Sequence, residues 1–419
     1  MSSATTAVST VATIAEIIDR GLLTTVYQPV IELDSGRTFG FEALTRGPAG
    51  TPLEQPDRLF DVARRTGALG RLDNACRRNA LRVAEAAGLM RPTALFVNCE
   101  PETLSSAVLD VPAVGCQVVL ELTERELAAR PLDLLRVVEQ ARSAGWLLAL
   151  DDVGADPMSL AFLPLLQPDI VKLDLHLIQR RPSAEIAAIV NAVHADAERR
   201  GTRILAEGIE TAEHLQTARA FGATLGQGWL FGRPGPLPVG RPNVPRPRTM
   251  RQIVDSSPPE TTATVSPFEA AACHIAPRRA RKPLLIEISK HLEQQALNSG
   301  GSTLVLSALQ SHRFFTIDTR HRYTEIAEKI AFVGLLGEGL ATQPLPGIRG
   351  AVIAADDPVI GEWDIAVVGP YFAACLVARD LGDCGPDRDR RFEFVLSHDR
   401  DLVINVAVAL MRRLCDQQL

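Results

Sequence analysis

The chain has 419 residues, 46% of them hydrophobic and 22% charged, a balance that fits a globular protein and excludes a disordered or collagenous one. That length is too great for one ordinary core and predicts two domains. A net charge of -6 excludes a nucleic-acid-polymer surface built on bulk positive charge, while leaving room for a local site that takes a phosphorylated small molecule.

The first residues, "MSSATTAVSTVATIAEIIDRG", predict a flexible tail over 1–12 running into an amphipathic helix. Glu16, Asp19 and the lack of a basic start argue against a signal peptide. No run of about 18 uncharged apolar residues predicts a membrane span, so the expected location is cytoplasmic, without a membrane partner. Seven cysteines (76, 99, 116, 273, 375, 384 and 415) are odd in number and include no CxxC pair. They read as free thiols of a reducing compartment.

Over residues 13–235, short apolar runs alternate with helix-period segments. The runs are "TVYQPVIEL", "TFGFEAL", "ALFVN", "VVLELTE", "LLALDD", "DIVKLD", "RILAEG" and "TLGQG". Between them lie segments such as "LDNACRRNALRVAEAAG" and "SAEIAAIVNAVHADAERRG", several ending in glycine, a common helix stop. Such alternation predicts an α/β fold, and this many units in one domain fit a TIM-type (β/α)8 barrel better than an open sheet. Only "DSGR" separates the first two runs, so they form a hairpin and one barrel strand is antiparallel. "GATLGQG" lacks the spacing and the following helix of a dinucleotide loop.

Residues 233–267 hold nine of the 28 prolines, a density that blocks helix and central strand alike. A linker is therefore expected at 236–265. Residues 266–419 read as a smaller α/β or α+β domain, from the helix-like "RKPLLIEISKHLEQQAL" and the strand-like "STLVLSAL", past "GIRGAVIA" and "WDIAVVGPYFAACLVARDL", to a closing amphipathic helix. His398, Asp399 and Arg400 lack a nearby nucleophile and read as a helix-entry cap.

The polar residues that end the barrel runs are Glu42, Asn98, Glu121, Asp151 with Asp152, Lys172, Glu207 and Gln227. In a TIM-type barrel those ends converge on one face, where active sites lie. Five carboxylates, two amides and a lysine at one mouth call for divalent cations on oxygen ligands. With no His or Cys in the set, Mg²⁺ or Mn²⁺ fits better than Zn²⁺. Paired metals are a recurring device for attacking a phosphodiester with water, which Lys172 would orient.

These residues resemble the EAL-domain cyclic-di-GMP phosphodiesterases of bacterial signalling. "YQPVIEL", "EALTR", "FVNCEP", "ELTE", "LALDDVG", "DIVKLD", "AEGIET" and "GQGWLFGRP" occur in family order. The resemblance implies a two-metal barrel that hydrolyses cyclic di-GMP to linear pGpG. Glu42, Asn98, Glu121 and Asp151 would hold one metal. Asp151 would bridge to a second, helped by Asp152 and Glu207, and Lys172 would position water. Arg46 would contact a phosphate, with Gln28, Leu44 and Gln227 lining the ligand site. It also implies a homodimer through the barrel.

One loop departs from the pattern. The family reads DDFGTGYSSL where this chain has "DDVGADPMSL", and Glu124 would anchor that loop. Outer-shell changes can weaken a metal site by one or two orders of magnitude, so a catalytically weak or silent cyclic-di-GMP receptor is the alternative reading. The segments "RYTEIAEKIAFVGLLGEGL", "EWDIAVVGPYFAACLVARD" and "RRFEFVLSHDRDLV" resemble the DICT sensory domain, which implies a regulatory role with a ligand or partner that the sequence leaves unnamed.

Overall fold

The computed structural model of the protein describes residues 13–100, 103, 115–123, 130–154, 157–238, 265–384 and 386–414. Its first half runs α1 (Ile14–Asp19), β1 (Thr24–Glu32), β2 (Arg37–Arg46), α2 (Pro56–Arg65), α3 (Leu69–Ala86), β3 (Ala94–Cys99), β4 (Gln117–Thr123) and α4 (Pro131–Ser143). It continues through β5 (Leu147–Val153), α5 (Pro157–Leu166), β6 (Ile170–Leu173), α6 (Leu175–Gln179), α7 (Ala184–Arg200), β7 (Arg203–Ala206), α8 (Ala212–Ala220) and β8 (Leu225–Gly226).

The eight strands close into a barrel in sequence order. β1 is antiparallel to both its neighbours, β2 and β8, as the short "DSGR" turn predicts, and the remaining pairs are parallel. Strands buried on both faces explain the near-continuous apolar runs. Alternate residues point inward, where Val30, Ala94, Phe96, Val119, Leu147, Ala149, Ile170, Leu205 and Leu225 form an apolar layer. Outward neighbours such as Leu95, Val97, Leu120, Leu148 and Val171 pack under the helices. Three of the helices start where a side chain caps a free backbone donor: Thr13, Ser183 and Thr211 each accept from an N–H three residues on. Gly201 ends α7 in the left-handed conformation at φ 78°.

The second half holds α9 (Pro267–Ala272), β9 (Arg278–Arg281), α10 (Lys282–Asn298), β10 (Leu304–Ser311), α11 (Ile317–Lys329), β11 (Phe332–Glu338) and β12 (Ile348–Arg349). It ends with β13 (Glu362–Val368), β14 (Ala373–Asp380), β15 (Arg391–Ser397) and α12 (Arg400–Met411). The strands form one mixed sheet in the order β12-β11-β10-β13-β14-β15-β9. One face packs Val305, Ile365 and Leu376 under α10 and α11, with Leu285, Leu292 and Tyr323 between. The other packs Leu306, Ala366 and Val377 under α9 and α12.

"GIRGAVIA" supplies only the two-residue edge strand β12, because Gly347 turns at φ 75° and Gly350 lies against Ala341 and Pro344, where a Cβ would meet Ala341 O at 2.3 Å. "WDIAVVGPYFAACLVARDL" is a hairpin of two strands, closed by the Gly369 N–H donating to Phe372 O. Asp399 caps α12, accepting from Leu402 N at 2.9 Å, as its place in the sequence predicts. The six described cysteines are free thiols, and Cys415 lies outside the described residues. Among the described residues no helix is long and apolar enough to cross a membrane.

Candidate active site

Inside the barrel, the last residue of the apolar layer on each of six strands is followed on the same strand face, two positions later, by a polar one. Phe96 leads to Asn98, Val119 to Glu121, Ala149 to Asp151, Ile170 to Lys172, Leu205 to Glu207 and Leu225 to Gln227. β2 reaches Glu42 from Gly40, where a Cβ would meet the Ala94 carbonyl at 2.4 Å. On antiparallel β1 the order inverts: Gln28 precedes Val30, and it pairs directly with Glu42. The two-residue period of a strand thus lifts a polar ring above an apolar floor.

Lys172 occupies the centre of that ring, 1% exposed. Its Nζ lies 2.7 Å from Glu121 Oε1, 2.9 Å from Asp151 Oδ1, 2.9 Å from Glu207 Oε1 and 3.9 Å from Glu42 Oε2. Burial alone would lower the lysine pKa, but these four carboxylates outweigh it and hold the ammonium well above its ordinary value. Glu121 is driven well above the usual carboxylate range by burial and then by the charge of Glu42, against the pull of Lys172. Burial raises Glu207 to about 8, opposed by Lys172 and reinforced by Asp151 and Glu42.

A second set of contacts fixes the rim. Gln227 Nε2 donates to Glu42 Oε2 at 2.6 Å and to Gln28 Oε1 at 3.2 Å, while Asn98 Nδ2 lies 3.5 Å from Glu42 Oε1. At the end of β5, Asp152 takes a left-handed backbone, φ 54°, and its N–H donates to Asp151 Oδ1 at 2.9 Å. Such a conformation is uncommon for a residue with a Cβ and gathers at functional sites. It turns Asp152 so that Asp151, Asp152 and Glu207 each offer a carboxylate oxygen within 4.8 Å of one another. Val153, the first departure from the family loop, is fully buried. Glu124 and the loop residues 155–156 lie outside the described residues.

Beside the ring opens a cavity of about 440 Å³ between β2, α2 and α3, lined by Leu44, Arg46, Phe60, Arg64, Arg77 and Asn98 among others. The structure therefore sets two of the expected ligand residues, Leu44 and Arg46, beside Asn98, and keeps Gln28 with Gln227 on the opposite side of Glu42. Phe60, Arg64 and the Asp73–Arg77 pair were not expected from the sequence. Asp73 is buried, accepting from Arg77, from Thr103 Oγ1 at 2.6 Å and from Glu100 N at 3.4 Å. The signal was an i,i+4 Asp–Arg spacing in "LDNACRR", which ordinarily marks a solvated helix face.

The fold agrees with comparisons to known proteins. Residues 12–234 match the EAL domain model, and residues 268–381 match DICT, the sensory domain in diguanylate cyclases and two-component systems. The cyclic di-GMP phosphodiesterase NbdA of Pseudomonas aeruginosa is 33% identical over 225 residues, 50% of this chain and 29% of NbdA. RocR of the same organism, also named a cyclic di-GMP phosphodiesterase, is 27% identical over 54% of this chain and 61% of its own length. The chain thus spans less than two thirds of the length of either relative. A solved manganese/cyclic di-GMP complex of Klebsiella pneumoniae BlrP1 is 30% identical over 51% of this chain and 56% of that one, with a TM-score of 0.45. With the EAL model covering more than half its length, the chain belongs to the EAL-domain family.

Proposed function

We propose that the barrel hydrolyses cyclic di-GMP to linear pGpG with Mg²⁺ or Mn²⁺, and that the C-terminal domain modulates it. The observation that carries this reading is the charge of the ring. Four carboxylates, from Glu42, Glu121, Asp151 and Glu207, share one ammonium, Asp152 adds a fifth beside Asp151 and Glu207, and burial with their mutual repulsion pushes Glu121 and Glu207 upward, a strain that a bound cation would relieve. Glu121 Oε2 has no hydrogen-bond partner among the described residues. A buried acceptor without a donor is costly, and a cation removes that cost. The donor atoms are all oxygens, which suits a hard divalent ion.

Glu42, Asn98, Glu121 and Asp151 would hold one ion, and Asp151, Asp152 and Glu207 a second. Bound there, divalent ions would supply a nucleophilic water and offset charge on the phosphodiester. Gln227 and Asn98 keep the Glu42 carboxylate aimed inward. Lys172 keeps its proton and, through its Nζ–H donors, orients Asp151 and Glu207 and would align the attacking water. Arg46, at the cavity wall, offers a planar fork to one phosphate, and Leu44 lines the same wall.

The altered "DDVGADPMSL" loop favours a second reading, a receptor that binds cyclic di-GMP without cleaving it. Incubation with cyclic di-GMP and Mg²⁺ or Mn²⁺, following pGpG, with binding measured in Ca²⁺ alongside, separates the two. Turnover supports the enzyme, binding without turnover the receptor, and neither would sink both.

A further inference from the structure

Helix α3 carries an ion pair where its pattern calls for apolar residues. Leu72, Cys76, Ala80 and Leu81 line its buried face, and Asp73 and Arg77 are buried with them, 2% and 3% exposed. Apolar residues in place of a buried ion pair are often neutral or stabilising, so stability alone gives little reason for charge here. What the pair holds gives a better one.

Both Asp73 oxygens grip the chain as it leaves β3. Oδ1 accepts from the Glu100 N–H at 3.4 Å, and Oδ2 accepts from the Thr103 hydroxyl at 2.6 Å and from Arg77. The Thr103 N–H donates in turn to Glu100 O at 2.9 Å. Arg77 is itself fixed on α3, its other amino group donating to Asn74 Oδ1 at 2.6 Å. Successive residues of a strand point to opposite faces. Cys99 takes the side of the pair, where burial and then the Asp73 charge push its thiol up to about 12. Asn98, one residue earlier, takes the side of the acid ring.

Neither the ring nor the sheet holds Asn98 firmly. Glu121, Asp151 and Glu207 each come within 2.9 Å of Lys172 Nζ, and Glu42 accepts from Gln227 at 2.6 Å. Among the described residues, the Asn98 side chain makes one hydrogen bond, its 3.5 Å donation to Glu42. The β3–β4 ladder continues through Asn98 and Cys99, but the β2–β3 ladder stops at Phe96, on the side where the cavity lies. Asp73 supplies a hold on the strand end that β2 does not.

We propose that Asp73, neutralised by Arg77, is a positioning residue, which ties the end of β3 to α3 and so aims the Asn98 carboxamide at a divalent ion. This rests on reading the acid ring as a metal site.

The test titrates full-length protein with Mn²⁺ by calorimetry and takes stability from urea midpoints, which separates lost affinity from lost folding. Asp73→Leu/Arg77→Met removes the anchor without stranding a charge and should lose about tenfold in Mn²⁺ affinity. Asp73→Asn/Arg77→Met keeps an acceptor for Glu100 and Thr103 and should recover most of that loss. Thr103→Val, a milder cut, should move affinity in the same direction. In an Asn98→Ala background, Asp73→Leu/Arg77→Met should remove no further affinity, because residues acting through one contact are not additive. Unchanged Mn²⁺ affinity in Asp73→Leu/Arg77→Met, or a loss that simply adds to that of Asn98→Ala, would overturn the positioning alone. An unaltered chain that takes up no Mn²⁺ would overturn the metal reading, and the positioning with it.

Discussion

Lys172 Nζ lies 2.7 Å from Glu121 Oε1 at the centre of the barrel, with both side chains out of reach of solvent. The pair is not an isolated salt bridge, because three more carboxylates share the same ammonium. Removing one partner of a buried pair leaves the other as an uncompensated charge, at about 3–5 kcal/mol. Lys172→Met should therefore lower stability by about that amount in chelator and abolish turnover. Divalent cation should restore part of the stability and none of the turnover, as read by denaturant titration with and without Mn²⁺.

Glu42 meets Gln227 on one side and Asn98 on the other. Glu42→Ala should end hydrolysis with the fold intact by circular dichroism. Gln227→Leu removes one of the two amides that aim Glu42 and frees Gln28, and about 10- to 100-fold should be lost from activity or metal affinity. Retained turnover in Glu42→Ala would remove that residue from the centre.

Asp73 and Arg77 form a buried pair beside the cavity. Burial raises the Asp73 carboxyl against the opposing pull of Arg77. Asp73→Ala strands the guanidinium and should cost about 3–5 kcal/mol, whereas a double Asp73→Leu/Arg77→Met variant should lose less. Urea midpoints of the three proteins decide it.

In the C-terminal domain, Asp364 is wholly buried, and burial followed by the neighbouring Glu362 charge pushes its carboxyl well above the ordinary range. The native state therefore keeps a proton that the unfolded chain releases near pH 3.9. The stabilisation is full below that pH and is lost as pH rises through the native value. Asp364→Asn removes this titration and supplies an amide donor. Thermal midpoints should flatten across about pH 5–8, with a gain of about 1 kcal/mol at the alkaline end. A profile that stays as steep would leave the slope to another group.

Much of the site was legible in the sequence because it obeys short-range rules. Strand–helix alternation, a two-residue inward step and an acid, amide or lysine at each strand end are local patterns, so Glu42, Asn98, Glu121, Asp151, Lys172, Glu207 and Gln227 could be found without coordinates. The short "DSGR" turn likewise set β1 antiparallel.

What the tertiary structure alone decided are relationships made by closure and covering. Strand ends far apart in sequence meet only because the barrel closes, which puts Lys172 among four carboxylates and brings Gln28 to Gln227 across 199 residues. The Asp73–Arg77 pair has the spacing of a surface helix, yet lies buried because Thr103 and the Glu100 backbone close over it. "PMSLAFLPLL" gives no sign of what covers its outer face, which a sheet from the other half of the chain supplies. Local propensity fixes each element within a few residues, while burial and charge depend on neighbours that only the folded chain brings together.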